Sequence, residues 1–272
     1  MQEIKCLNKG FVRLVDSMGG DDSIVQAARV SYGAGTKTQK EDKELIRYLM
    51  RHQHTSPFEM VEFKFHVKLP IFVARQWVRH RTASINEYSG RYSNMNNEFY
   101  IPELNRIKTQ SKLNHQASSN ENIAEKEAEY MQETIGTQQE LLFLTYQNYL
   151  ASDVAREIAR INLPLSIFTE WYWKIDLHNL LRFLKLRLDK TAQYEIRVYA
   201  EAIMQLIQPI VPVTLQAFED YVLNAVTFSK QELQSLKKAY SKVPAQAALS
   251  YAKNMNKTEK AEFREKIVEY LM

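Results

Sequence analysis

Residues 79 to 91 run Arg-His-Arg-Thr-Ala-Ser-Ile-Asn-Glu-Tyr-Ser-Gly-Arg. Three fixed cations, Arg79, Arg81 and Arg91, stand here beside one titratable ring, His80. Guanidinium groups bind phosphate through planar, bidentate hydrogen bonds. Ser84, Ser89, Asn86 and Glu87 can donate to, or accept from, a sugar or a base edge. A site for a phosphorylated nucleotide or dinucleotide needs this mixture. The same residues also suit a basic helix end running into a solvated loop, because clusters of one charge sign are often plain surface.

Two other segments carry reactive side chains. His52, His54, Ser56, Pro57, Phe58 and Glu59 precede a long alternating stretch. Taken alone, they describe a turn with a partly exposed histidine. Arg187 ends an apolar helical stretch (Leu180 to Leu186), eight residues before Glu195. An arginine there complements the helix dipole without any further role. The common nucleotide loops are missing. The sequence has no Gly-x-x-x-x-Gly-Lys-Ser/Thr and no Gly-x-Ser-x-Gly. Gly33-Ala34-Gly35 lacks a third glycine and follows no strand. A dinucleotide must therefore be held by side chains and irregular backbone.

The elements that position these residues follow from periodicity. Residues 2–5 and 11–15 read as short strands around a turn at Asn8-Lys9-Gly10. Gly19-Gly20-Asp21-Asp22 can cap a helix from about Ser23 to Val30, and a second helix covers about 41–52. Val61, Phe63, Phe65, Val67 and Leu69 alternate with polar residues, which predicts a strand with one apolar face. His66 lies on its polar face and reads as surface. Pro70 then starts a helix with Ile71, Phe72, Ala74 and Val78 inward, ending near the Arg-His-Arg triplet. Residues 105–122 are polar and read as a surface loop. A helix follows over about 123–150, with Gly136 a possible break. Asp153 is placed to cap a helix carrying Arg156 and Arg160. Residues 165–186, rich in aromatics and leucine, are core material, and 192–208 keep helical period. Residues 244–272 read as a polar helical tail. No repeat or boundary appears, so residues 1–272 are expected to form a single α+β domain, a central β-sheet flanked by long helices.

Bulk properties narrow the class. The 272 residues are 45% hydrophobic and 25% charged, with 7 Gly and 7 Pro, which excludes collagen-like or broadly disordered chains. The formal charge of +4 permits an anionic ligand but falls short of the basic stripe that nucleic-acid binding calls for. Cys6 is the sole cysteine, so no internal disulfide forms, and no signal-like or membrane-length apolar run is seen. A cytoplasmic protein is expected. The six histidines show no zinc spacing, so no metal site is expected.

The pattern from Arg79 to Arg91 resembles the signature of the flavin-dependent thymidylate synthases. Four more segments are similar to that family in the same order: Ala27-Ala28-Arg29-Val30-Ser31, His54 with Ser56-Pro57-Phe58-Glu59, Ala155-Arg156 through Leu163-Pro164, and Leu186-Arg187 with Ala192-Gln193-x-Glu195-Ile196. Together they span roughly residues 27 to 197. The resemblance implies a homotetramer with active sites between subunits that converts dUMP to dTMP. Methylenetetrahydrofolate gives the carbon, NADPH the reducing power, and FAD carries the hydride.

The resemblance also implies roles. Arg187 stabilises the uracil anion formed by N3 deprotonation, and His54 lies near the flavin and folate. Gln76, Arg79, Glu87, Tyr88, Ser89, Gly90, Arg91, Arg160 and Arg187 hold dUMP. Ser31, Ser56, Arg79, His80, Arg81, Glu87, Asp176, His178 and Arg182 contact FAD. Met60, Thr191, Asp176 and Arg182 depart from residues common in the family. Cys6 lies in a probable N-terminal edge strand with no local cationic motif to lower its pKa, which favours a route without a thiolate. Two alternatives stand beside this one. One is a nucleic-acid module that stacks bases on Tyr88, Tyr92 and Tyr100. The other is a family member that binds flavin and nucleotide but has lost methylation.

Overall fold

The computed structural model describes residues 2–30, 39–112, 118–240, 250 and 252–271. It divides into two compact units, Met1–Leu223 and Asn224–Met272. The first holds a five-stranded antiparallel sheet made of β1 (Glu3–Cys6), β2 (Gly10–Met18), β3 (Glu62–Pro70), β4 (Ser84–Glu87) and the later strand Phe168–Asp176. That last strand is β7, since two short strands intervene, and the sheet order is β1-β2-β3-β7-β4. The alternation in β3 is realised fully. Phe63, Phe65, Val67 and Leu69 are all 0% exposed. Opposite them in register, Trp173 faces Phe65 and Trp171 faces Val67.

The helices of this unit are α1 (Asp21–Arg29), α2 (Gln39–Arg51), α3 (Ile71–Trp77), α4 (Glu125–Ala151), α5 (Arg156–Ala159), α6 (Leu177–Arg187), α7 (Tyr194–Ile207) and α8 (Pro212–Phe218). Trp77 is the hub where helices meet sheet. Its ring lies 4.7 Å from Phe183 of α6, 6.0 Å from Tyr199 of α7, and edge-on to Trp171 and Trp173. Edge-to-face contacts of this kind add to the energy of simple burial. The expectation of Val78 facing inward is corrected here. Val78 caps α3 and is 38% exposed, while Val73, Ala74 and Trp77 are buried. The inward face is set by the one-turn spacing from Val73 to Trp77, which puts Val78 past the core.

Other departures have local causes. His66 does lie on the polar face of β3, yet it is not open surface. Its Nε2 is 3.0 Å from Glu170 and its ring stacks on Tyr172 at 4.9 Å. Gly136 does not interrupt α4, which runs unbroken through it. Asp153 ends α4 instead of starting the next helix. It adopts a left-handed φ of 60°, and the pair Asp153 N–H to Leu150 O and Val154 N–H to Tyr149 O closes a Schellman turn. Ala155 takes the N-cap of α5. Part of the 105–122 stretch is paired: β5 (Lys108–Gln110) and β6 (Ser118–Asn122) form a separate two-stranded sheet.

The second unit contains α9 (Lys230–Tyr240) and α10 (Lys257–Leu271). Both start in capping boxes. Ser229 and Glu232 exchange backbone and side-chain bonds in one, Asn256 and Glu259 in the other.

Candidate active site

Arg187 is the last residue of α6, and Gln76 and His80 flank the end of α3. Packing of Phe183 against Trp77 brings these two helix ends together. Arg187 donates Nε–H to His80 Nε2 at 3.1 Å and Nη2–H to the carbonyl oxygen of Gln76 at 3.2 Å. The side-chain edge of the guanidinium is thus held by protein. Its other edge remains available to a ligand. Burial lowers the pKa of Arg187 and pushes that of His80 down to about 4, with help from the nearby charges of Arg187 and Arg182. A neutral His80 is the form that accepts a hydrogen bond from arginine. The Gln76 amide nitrogen in turn donates to the amide oxygen of Gln193, at the N-cap of α7.

A second group forms around the loop after β4, which is a short strand where the sequence suggested only loop. Glu87 pairs with Trp171 in register and accepts a bond from the Thr169 hydroxyl at 2.7 Å. Tyr88 N–H bonds Glu170 O at 2.8 Å, which anchors the loop to the sheet. Ser89 O then accepts from both Tyr92 and Ser93 N–H groups at 3.1 Å, curling residues 89–93 into a turn. Gly90 is buried under Arg160. A Cβ there would sit 3.2 Å from Arg160 Nη1 and 2.8 Å from the Met95 sulfur. Arg91 pairs loosely with Glu157 at 3.5 Å, both about half exposed.

The third group lies at the other end of α6. The 3-10 turn Ser56–Met60 packs against that helix, and Leu177 N–H bonds Val61 O at 2.7 Å. His54 sits just before, exposed, after a Schellman turn that ends α2 at Gln53 (φ 56°). Asp176 is the N-cap of α6, its carboxylate accepting from the backbone and side-chain nitrogens of Asn179 at 2.9 and 2.8 Å. His178 is half-buried and Arg182 exposed. Arg79 and Arg81 are also exposed. None of Arg79, Arg81 and Arg182 has an ion-pair partner among the described residues. Ser31 lies outside the described residues. No hydrogen bond or ion pair joins the three groups to one another among the described residues.

Residues 13–213 match the family model described as thymidylate synthase complementing protein. A flavin-dependent thymidylate synthase from Ehrlichia ruminantium (strain Gardel) is 56% identical over 237 residues, 87% of this chain and 80% of that protein. The chain belongs to the flavin-dependent thymidylate synthase family. Another member, from Rickettsia prowazekii (strain Madrid E), is 48% identical over 95% of this chain and 91% of its own length. Among solved structures, a UMP/dUMP methylase, PolB, from Streptomyces cacaoi, bound with 5-Br dUMP, superposes with a TM-score of 0.73 at 33% identity. The match covers 81% of this chain and 99% of that one.

Family membership makes this chain an enzyme of the methyltransferase class and fits its mixed α/β fold. Within the synthase frame, the donor chemistry suits a flavin dinucleotide. Its pyrophosphate would need cationic donors that are not already neutralised, and Arg81 and Arg182, exposed and without an ion-pair partner among the described residues, are of that kind. One sequence departure has a structural reading. Thr191 donates its hydroxyl to Asp189 at 2.6 Å and its N–H at 2.8 Å, so its side chain is spent on shaping the loop after α6.

Proposed function

We propose that this chain converts dUMP to dTMP, with methylenetetrahydrofolate as carbon donor and NADPH as reductant. The observation that carries the reading is the Arg187 guanidinium, half-buried at the end of α6 and held on one edge by a neutral His80 and by Gln76 O. When bound, FAD supplies the hydride. Arg187 stabilises the negative charge left on uracil when its N3 is deprotonated, an electrostatic role that is strongest in a desolvated site. Gln76 holds the pyrimidine beside it. Glu87, Tyr88, Ser89, Gly90, Arg91, Arg160 and Arg79 bind the sugar and phosphate, with Arg160 seated over Gly90. Ser31, Ser56, His80, Arg81, Glu87, His178 and Arg182 contact FAD, and Asp176 fixes the start of the helix that carries the last two. His54 faces the flavin and folate.

The working form is a homotetramer with sites between subunits. Supporting this, Leu141 and Leu144 of α4, Ile158 of α5, and Ile161 and Leu165 beyond it are all more than half exposed, and Ile161 adjoins Arg160. The three residue groups, which no hydrogen bond or ion pair joins among the described residues of one chain, then combine across subunits. Uracil is activated without an enzyme thiolate. Cys6 is 1% exposed in edge strand β1, and burial pushes its thiol up to about 12. The protein works in the cytoplasm, and no described helix is long and apolar enough to cross a membrane. The base-stacking alternative loses support, since Tyr100 is 8% exposed and donates to the buried Glu195 at 2.9 Å.

The test is the visible spectrum of the purified protein, recorded anaerobically as NADPH is added with and without dUMP. An oxidised flavin band that bleaches at a rate altered by dUMP, followed by dTMP formation once folate is supplied, is the expected result. No flavin band after adding FAD would sink the proposal. Bleaching without dTMP would point to a member that has lost methylation.

A further inference from the structure

Gln76 meets two partners at once. Its backbone carbonyl accepts from Arg187, and its side-chain amide nitrogen donates to the amide oxygen of Gln193. The two glutamines lie on the facing ends of α3 and α7, elements that pack together. We propose that Gln193 fixes the orientation of the Gln76 amide and thereby makes the site prefer uracil over cytosine. This rests on the reading of Gln76 as a pyrimidine contact.

The backbone of Gln193 is fixed from both sides. Ahead of it, Asp189 accepts from the Thr191 N–H and hydroxyl, and Ala192 N–H bonds Asp189 O at 2.9 Å. Arg197 reaches back to Lys190 O at 3.2 Å. Two residues on, Glu195 is 7% exposed and accepts the Tyr100 hydroxyl at 2.9 Å, which pins the first turn of α7. The partial positive charge at the start of α7 favours keeping the Gln193 oxygen, not its NH2, at that end. An oxygen there can only accept, so Gln76 must offer its NH2.

An amide free of such a partner can turn over at little cost and exchange its oxygen for its NH2. With one N–H committed to Gln193, Gln76 presents its oxygen and remaining N–H in one order only. Uracil carries a donor at N3 beside carbonyl acceptors. Cytosine reverses this, with a bare N3 beside an amino group. A fixed amide pairs with one base and leaves polar groups unpaired with the other. Discrimination built on an unmet buried hydrogen bond is much larger than discrimination built on shape.

The experiment measures dUMP and dCMP binding to the FAD-loaded full-length protein by calorimetry. It compares the wild type with Gln193→Ala and Gln193→Glu. Gln193 is exposed, so neither change disturbs the core. The expected result is that Gln193→Ala lowers the dUMP:dCMP affinity ratio by about tenfold or more, the size of one net hydrogen bond. Gln193→Glu, which can only accept, keeps the wild-type ratio. An unchanged ratio in Gln193→Ala would overturn the proposal, as would equal loss in both variants, which would mean that the residue only shapes the loop. A wild type that binds no dUMP would instead overturn the function proposed for the site, and this inference with it.

Discussion

Arg187 Nε donates to His80 Nε2 across 3.1 Å, which places the His80 proton on Nδ1 and keeps the ring neutral. Burial is the main reason that its pKa falls to about 4. Between that value and the ordinary 6.5, the unfolded chain binds a proton at this ring and the folded chain does not. Stability from His80 is therefore complete above the unfolded value and declines as pH drops through this window. We expect the wild-type Tm to fall more steeply between those pH values than the Tm of His80→Gln, which keeps an acceptor but cannot titrate. Parallel curves would show that His80 titrates normally.

Removing the arginine tests its charge in two ways. Arg187→Ala should lower dTMP turnover by roughly 100- to 1,000-fold, the scale seen for loss of one preorganised stabilising donor. FAD should stay bound, because the flavin contacts lie on other residues. The His80 pKa, followed by NMR of its ring, should rise toward 6.5 as a neighbouring cation disappears. Near-normal turnover would remove Arg187 from the chemistry.

Cys6 gives the opposite expectation. Its thiol is buried, with Ile4 O 3.7 Å away as an acceptor, and it sits in the first strand. Cys6→Ala should leave kcat unchanged within about twofold, while the small cavity costs up to about 1 kcal/mol of stability. Loss of activity in a variant with normal Tm would restore a thiolate route.

The pattern of what could be read in advance has a physical basis. The β3 alternation, the α6 run ending at Arg187 and the triplet after α3 are local signals, and each appears where its period placed it. Helix ends were harder. Gln53 and Asp153 both take left-handed φ values that glycine usually supplies, so no residue type announced the turns that end α2 and α4. Long-range pairs left no local trace. Gln76 and Gln193 are 117 positions apart, and Glu87 and Thr169 are 82 apart. The partial burial of His66 has the same origin, because its partners Glu170 and Tyr172 come from the neighbouring strand β7.

Gly90 carries a prediction about substrate binding. A methyl group there would enter the space of Arg160 and the Met95 sulfur, both ends of flexible side chains. The fold should therefore survive Gly90→Ala, but Arg160 must move. The expected outcome is a KM for dUMP raised by about tenfold, the equivalent of ~1.4 kcal/mol, with kcat changed much less. An unchanged KM would separate Arg160 from the nucleotide.

Asp21 shows how a site-distant residue holds the frame. It stands in the first turn of α1, yet its carboxylate caps α8. It accepts from Val213 N–H at 2.8 Å, Thr214 N–H at 3.1 Å and the Thr214 hydroxyl at 2.6 Å. Thr214 is 0% exposed, so these donors have no water to turn to. Asp21→Ala should cost about 1–3 kcal/mol, the range for stranded buried donors and lost caps. At roughly 2–4 °C per kcal/mol for a unit of this size, Tm should drop by several degrees. Asp21→Asn keeps one acceptor oxygen and should recover part of the loss. The KM for dUMP should stay at the wild-type value in both variants, because α8 carries none of the proposed ligand contacts. A shifted KM with unchanged Tm would mean that this cap serves the active site instead of the fold.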